Sequence, residues 1–173
     1  MVGHPWKLPG PTVPQPIRKN PRVQRFNLFA DDWEIEHERP GFRSRRTSVC
    51  RRIGAQRIGA TLSELDPGEK LVPYHLHHAN EEWLVVAGGR PTLRTPEGER
   101  ELRAGDTVCF PRGTEGAHQV VNRSDGPARV LMLSTLIQPD VAEYPDSDKV
   151  AMWGEGLRRL LRRTPQADYW DGE

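Results

Sequence analysis

Between Ile58 and Ile137 the chain alternates apolar or β-branched residues with polar ones in short runs, and each run stops at a turn-forming cluster. Successive side chains of a strand point to opposite faces, so a period of two predicts half-buried strands. They fall near residues 56–65, 71–78, 82–87, 91–95, 99–102, 107–110, 118–122 and 128–137. The breaks between them include Asp66-Pro67-Gly68, Ala87-Gly88-Gly89, Pro96-Glu97-Gly98, Ala104-Gly105-Asp106, Pro111-Arg112-Gly113 and Ser124-Asp125-Gly126-Pro127. Proline presets φ and glycine admits positive φ, which is what tight reversals need. Strands at this spacing suit an all-β, closed or double-sheet architecture.

The flanks follow other patterns. Prolines at positions 5, 9, 11, 14, 16 and 21 predict a disordered arm over 1–25, since proline supplies no backbone donor. An N-terminal extension, 26–55, combines an apolar patch from Phe26 to Trp33 with Arg43, Arg45, Arg46, Arg51 and Arg52. Acidic residues at 31–38 offset that basic run, which reads as a solvated face. The barrel region is expected over 56–140. In the tail, 141–173, Leu157, Leu160 and Leu161 stand at i, i+3 and i+4, the spacing of a short amphipathic helix over 156–163. Trp153, the three leucines and Trp170 are expected to pack that tail on the barrel.

Composition narrows the function. A length of 173 residues suits one domain, and 16 Gly with 16 Pro disfavour a helical bundle. With 25 basic against 24 acidic residues, the net charge of +1 lacks the cationic excess of a nucleic-acid binder. Mean hydropathy is -0.72, and no stretch approaches the ~18 apolar residues of a membrane span. Cys50 and Cys109 are the two cysteines, and the opening residues lack the apolar segment of a secretory signal, so reduced thiols and a cytoplasmic location are expected. Cys109, within the apolar run 107–110, reads as a packing residue.

Three of the six histidines, His75, His77 and His78, sit beside Glu81 and Glu82. In a strand, positions i and i+2 share a face, so His75 and His77 project together while His78 points away. Glu82 opens the next strand, and the turn between can bring its carboxylate alongside the two imidazoles, leaving Glu81 outside. His118, after a second Pro-x-Gly turn, can supply a third imidazole. Three imidazoles and a carboxylate make a borderline donor set for Fe, Mn, Co, Ni, Cu or Zn, with one or two positions left open on an octahedral ion.

The order and spacing of these residues resemble the cupin superfamily. The first motif matches Gly68 through Gly89, with His75-x-His77, four residues, Glu82, six residues and Gly89. The second matches Gly105, five residues, Pro111-x-Gly113, four residues, His118, three residues and Asn122. Six rather than five residues separate Gly68 from His75, and four rather than two separate Gly113 from His118, which lengthens a loop at the barrel mouth. The short spacer between the motifs is similar to microbial single-domain cupins. The resemblance implies a double-stranded β-helix, the jelly-roll barrel of that family. It also implies a homodimer and one divalent transition metal ion held by His75, His77, Glu82 and His118. The implied ligand is a small polar molecule. The implied activity is metal-dependent, isomerase-like or dioxygenase-like, with a non-catalytic binding protein as the alternative.

Overall fold

The computed structural model describes residues 23–172, so the proline-rich arm lies, through residue 22, outside the described residues. Thirteen strands form among the described residues: β1 (Ile35–His37), β2 (Ser44–Ser48), β3 (Ile58–Leu65), β4 (Leu76–His77), β5 (Glu82–Gly88), β6 (Thr92–Thr95), β7 (Gly98–Glu101), β8 (Thr107–Phe110), β9 (Gln119–Val121), β10 (Ala128–Thr135), β11 (Asp140–Tyr144), β12 (Lys149–Gly154) and β13 (Leu157–Arg162). They pair antiparallel into sheets of order β1-β2-β3-β10-β5-β8, β13-β12-β11-β4 and β7-β6-β9. Isolated bridges, Lys70 to Val121 and His75 to His118, tie the segment before β4 to the stretch around β9. The segment 71–78 is therefore mostly a bridged, irregular strand, with regular pairing only at Leu76 and His77.

Alternation along β3, β5, β8 and β10 separates two environments. On the inner face Leu65, Leu84, Val86, Phe110 and Val130 join Leu71, Leu93, Leu102 and Val120 in one buried cluster. Leu84 is fully inaccessible, so Leu84→Ala is expected to cost about 2–5 kcal/mol, read as a lower urea midpoint at an unchanged slope. Gly89 ends β5 at φ +77°, and a Cβ there would overlap the Pro127 carbonyl oxygen. Glycine is required at that crossing.

The N-terminal extension covers the part of the outer face formed by β3 and β10. Phe26, Leu28 and Trp33 pack against Val49, Ala60, Leu62, Leu131 and Leu133. The arginine run is taken up by ion pairs: Arg43 with Glu69, Arg45 with Asp31 and Glu64, Arg52 with Asp32 and Glu34. One short helix, α1 (Val49–Ile53), interrupts the extension before β3.

Two expectations fail. The helix expected over 156–163 does not form: Leu157–Arg162 is β13, paired with β12 from Gly154 opposite Leu157 to Lys149 opposite Arg162. A two-residue turn, Glu155-Gly156, with Gly156 at φ +69°, closes this hairpin. Leucines at i, i+3 and i+4 fit a helix locally, but the hydrogen-bonded pairing with β12 outweighs that weak preference. Trp153 and Leu160 are partly buried as expected, whereas Leu157, Leu161 and Trp170 are exposed. Cys109 is also exposed rather than packed, because it falls on the outer face opposite Trp83.

Candidate metal centre

His75 and His118 face each other across their bridge: His75 N–H donates to His118 O at 3.1 Å and His118 N–H to His75 O at 2.8 Å. Residues paired in this way send their side chains to the same side, so the two imidazoles lie together, centroids 4.6 Å apart. His77, two residues on, enters the same space, with its ring 5.1 Å from that of His75. Glu82 comes from the start of β5, opposite Ser134 of β10. Gly116 shapes the longer loop before His118, since a Cβ on it would overlap the Pro111 carbonyl.

All three Nε2 atoms converge on one carboxylate oxygen. Glu82 Oε2 lies 3.7 Å from His75 Nε2, 3.6 Å from His77 Nε2 and 3.5 Å from His118 Nε2. These separations are too long for good hydrogen bonds. Donors bound at ~2.1 Å around one ion stand roughly 3.0–3.4 Å apart, so each imidazole–carboxylate separation needs only a small contraction, while the compact group of donors comprises His75, His77 and Glu82 and leaves His118 outside it. Donor atoms of His75, His77 and Glu82 fall within 4.8 Å of one another, and Glu82 Oε2 and His118 Nε2 are buried with no hydrogen-bond partner. A buried carboxylate oxygen and a buried ring nitrogen left unpaired are costly unless a further group compensates them. A divalent cation fits that need.

The other ring nitrogens fix the tautomers. His75 Nδ1–H donates to Pro73 O at 3.0 Å and His118 Nδ1–H to Gly116 O at 2.9 Å. A carbonyl oxygen only accepts, so in the neutral rings the proton sits on Nδ1 and the Nε2 lone pair faces the centre. His77 Nδ1–H donates to Asp140 Oδ2 at 2.7 Å, and the other Asp140 oxygen accepts the Ala79 N–H at 2.9 Å. This is the carboxylate–histidine support that orients metal-binding imidazoles. Phe110 stacks on His118 at 3.7 Å, Tyr144 lies parallel to His75 at 6.0 Å, and the edge contact of Trp153 with His77 is 5.7 Å.

Charge states agree with this geometry. Burial, with the neighbouring imidazoles, holds His75 well below its ordinary pKa, and burial pushes His118 down to about 4. Both are neutral donors at neutral pH. Burial alone would lower His77 too, but the Asp140 hydrogen bond and the Glu82 and Asp140 charges raise it. Burial raises the Glu82 carboxyl, the shift a nearby cation would reverse.

His78 and Glu81 turn away, as strand parity predicts. His78 Nε2 meets Glu143 Oε1 at 2.8 Å, and Glu81 Oε1 accepts the Trp83 indole N–H at 3.3 Å. Asn122 donates from Nδ2 to the carbonyls of Leu65 and Gly126 and accepts Ser124 N–H on Oδ1, so it clamps a turn and does not line the site. Sequence reading missed Asp140, Tyr144 and the cavity they border. The signal was present, because Asp140, Ala142 and Tyr144 continue the period of two past Pro139. A cavity of about 250 Å³ opens beside His77, bordered by Asp140, Tyr144, Trp153, Arg158 and Arg159.

A small antiparallel β-barrel with three imidazoles and one carboxylate turned into its interior is a jelly-roll architecture with a candidate metal site. The family model described as a cupin domain matches residues 61–134, and the chain carries the fold of a small cupin. Its fold is similar to that of a cupin-superfamily sugar phosphate isomerase from Silicibacter pomeroyi, at 25% identity and TM-score 0.72, covering 85% of this chain and 98% of that one. A protein of Acidithiobacillus ferrooxidans that carries the sugar phosphate isomerase name provisionally is 26% identical at TM-score 0.70, covering 79% and 86% of the two chains. The polyketide cyclase RemF of Streptomyces resistomycificus, 23% identical at TM-score 0.55 over 69% and 84%, shares the fold. No curated protein matches the sequence. No helix among the described residues is long and apolar enough to cross a membrane.

Proposed function

We propose that the protein is a divalent-metal-dependent enzyme acting on a small polar molecule by isomerase-type proton transfer, with His75, His77, Glu82 and His118 as ligands. The observation that carries this reading is the convergence of three Nε2 atoms on the buried, otherwise unpartnered Glu82 Oε2. Similarity to two proteins bearing the sugar phosphate isomerase name supports the reaction class. A bound Fe, Mn, Co, Ni, Cu or Zn ion would act as Lewis acid toward a carbonyl or hydroxyl pair of the substrate.

The chain's own groups then do the positioning. Asp140 holds the His77 ring in place and keeps its proton on Nδ1. Tyr144 borders the cavity, and burial, with the Asp140 and Glu82 charges, raises its phenol. It therefore stays protonated at neutral pH and can donate to a substrate oxygen. Trp153 walls the space beside His77.

The test is solvent-deuterium incorporation beside the carbonyl of a panel of aldose and ketose phosphates, followed by proton NMR with the metal-loaded protein. Incorporation is expected, and Tyr144→Phe should slow it by about 10²–10⁴-fold at unchanged metal content. A metal-loaded protein that binds panel members yet exchanges none of them would establish the non-catalytic binding alternative. Oxygen uptake by the iron-loaded form instead would establish the dioxygenase one.

A further inference from the structure

The cavity beside His77 has two unlike ends. In β-sheets, directly paired residues share a face. His77, Ala142 and Ala151 pair in succession across β4, β11 and β12, so a row of small side chains leads away from the histidine cluster. Ala142 and Ala151 are buried, and Ala151 lines the cavity, where its size leaves the space above it open. Trp153, two residues on, projects from the same face and meets the His77 ring edge-on at 5.7 Å.

After Thr135 the chain leaves β10, and Leu136 and Ile137 line the cavity while remaining 47% and 51% exposed. They form an apolar rim at its mouth. Asn80 fixes that rim: its Oδ1 accepts the Ile137 N–H at 2.8 Å and the Thr135 hydroxyl at 2.9 Å, and its Nδ2 donates to the Ile137 carbonyl at 3.2 Å. Two large aliphatic side chains held half in water beside a tryptophan are apolar surface that marks a binding site.

Most polar side chains of the lining are already engaged within the protein. Asp140 serves His77 and Ala79, Thr135 donates to Asn80, and Ser134 donates to the Thr135 carbonyl. Arg159 donates from Nη1 to the Arg158 carbonyl oxygen, and Arg158 has a partner of its own. A ligand would have to displace these partners to bind there, whereas the apolar walls are available as they stand. Tyr144, whose ring lies parallel to that of His75, marks the polar end.

We infer that the cavity takes an apolar, ring-sized group of the substrate between Trp153, Leu136, Ile137 and Ala151, while the substrate's oxygens face the histidine cluster. This rests on the metal-enzyme reading for the reacting end and adds the hydrophobic character of the other. Size agrees. An apolar cavity of roughly 150 Å³ holds benzene, and the space here, about 250 Å³, takes a ring with a short polar chain. Seating the ring removes apolar surface from water on both partners, which favours binding without a further polar contact.

Calorimetric titration of the full chain, metal-loaded and metal-free, with 2-hydroxyacetophenone and with hydroxyacetone tests the inference. The two probes share a hydroxyketone head and differ in phenyl against methyl. Wild type is expected to bind the aryl ketone about ten-fold or more tighter, with a more negative heat capacity change. Ala151→Leu fills the floor and should abolish the preference at unchanged metal content. The rim pair Leu136→Ser/Ile137→Ser alters half-exposed side chains outside the core and should weaken the preference about three-fold or more. The inference is overturned if wild type binds both ketones alike, or if the rim pair keeps the full preference. A wild type that takes up no metal but prefers the aryl ketone in a rim-dependent way would sink the metal-enzyme reading and leave the apolar pocket standing.

Discussion

Glu82→Gln protein, offered Fe(II), Mn, Co, Ni, Cu and Zn in turn, should retain less than about a tenth of the wild-type metal by elemental analysis. An imidazole binds a metal as a neutral donor, so Glu82 supplies the one negative charge among the four side chains aimed at the centre. His118→Ala and His77→Ala should lower occupancy likewise, because each removes one of four protein donors. His78→Ala and Glu81→Gln should keep stoichiometry near one, since both side chains are engaged outside the centre. Metal-free Glu82→Gln protein is expected to melt no lower than metal-free wild type, as the buried, unpaired carboxylate oxygen is a cost of the empty fold. That opposite sign separates ligand loss from misfolding. The ligand assignment is wrong if Glu81→Gln empties the site while Glu82→Gln fills normally, or if wild type takes up none of the six metals.

The second large effect is expected one step back from the centre. Asp140 is 1% exposed and serves two donors, the His77 ring and the Ala79 backbone. Asn at this position can still accept the Ala79 N–H, so Asp140→Asn should fold. Its side chain carries no charge and can present N–H to His77 Nδ1, which favours the tautomer with its proton on Nε2 and its lone pair turned from the metal. Metal affinity should drop about 10–100-fold in competition with a chelator. Asp140→Ala should add a loss of about 1–3 kcal/mol of stability, because the Ala79 N–H is left without its partner. Wild-type affinity in Asp140→Asn would show that Asp140 holds the loop without tuning the imidazole.

Much of the fold was legible because strand pattern and turn chemistry are local. The long strands β3, β5 and β10 announce themselves by a period of two, and the breaks carry glycine at positive φ, as at Gly68, Gly89 and Gly105. The separation of His75 and His77 from His78, and of Glu82 from Glu81, followed from the same parity. What failed is where local patterns are degenerate. Leu157, Leu160 and Leu161 satisfy a helical stripe, yet the same segment pairs residue for residue with β12. Exposure of Trp83 and Cys109 was equally invisible, since parity places them on the outer face but does not say how far the N-terminal extension reaches across it.

By itself, then, the sequence determined the short strands and turns of an all-β fold and the separation of His75, His77 and Glu82 from His78 and Glu81, consequences of backbone geometry over a few residues, while the jelly-roll barrel and the place of His118 came from the resemblance to the cupin superfamily. Tertiary structure decided the rest. The His75–His118 bridge joins positions 43 residues apart in the chain. The Nδ1 partners of the three imidazoles include Asp140, 63 residues from His77. The hairpin that carries Arg158 and Arg159 to the cavity exists because β11 offers β12 a strand edge to pair with. Register between strands far apart in sequence is chosen by burial and backbone hydrogen bonding summed over the whole sheet, and no local window contains that sum.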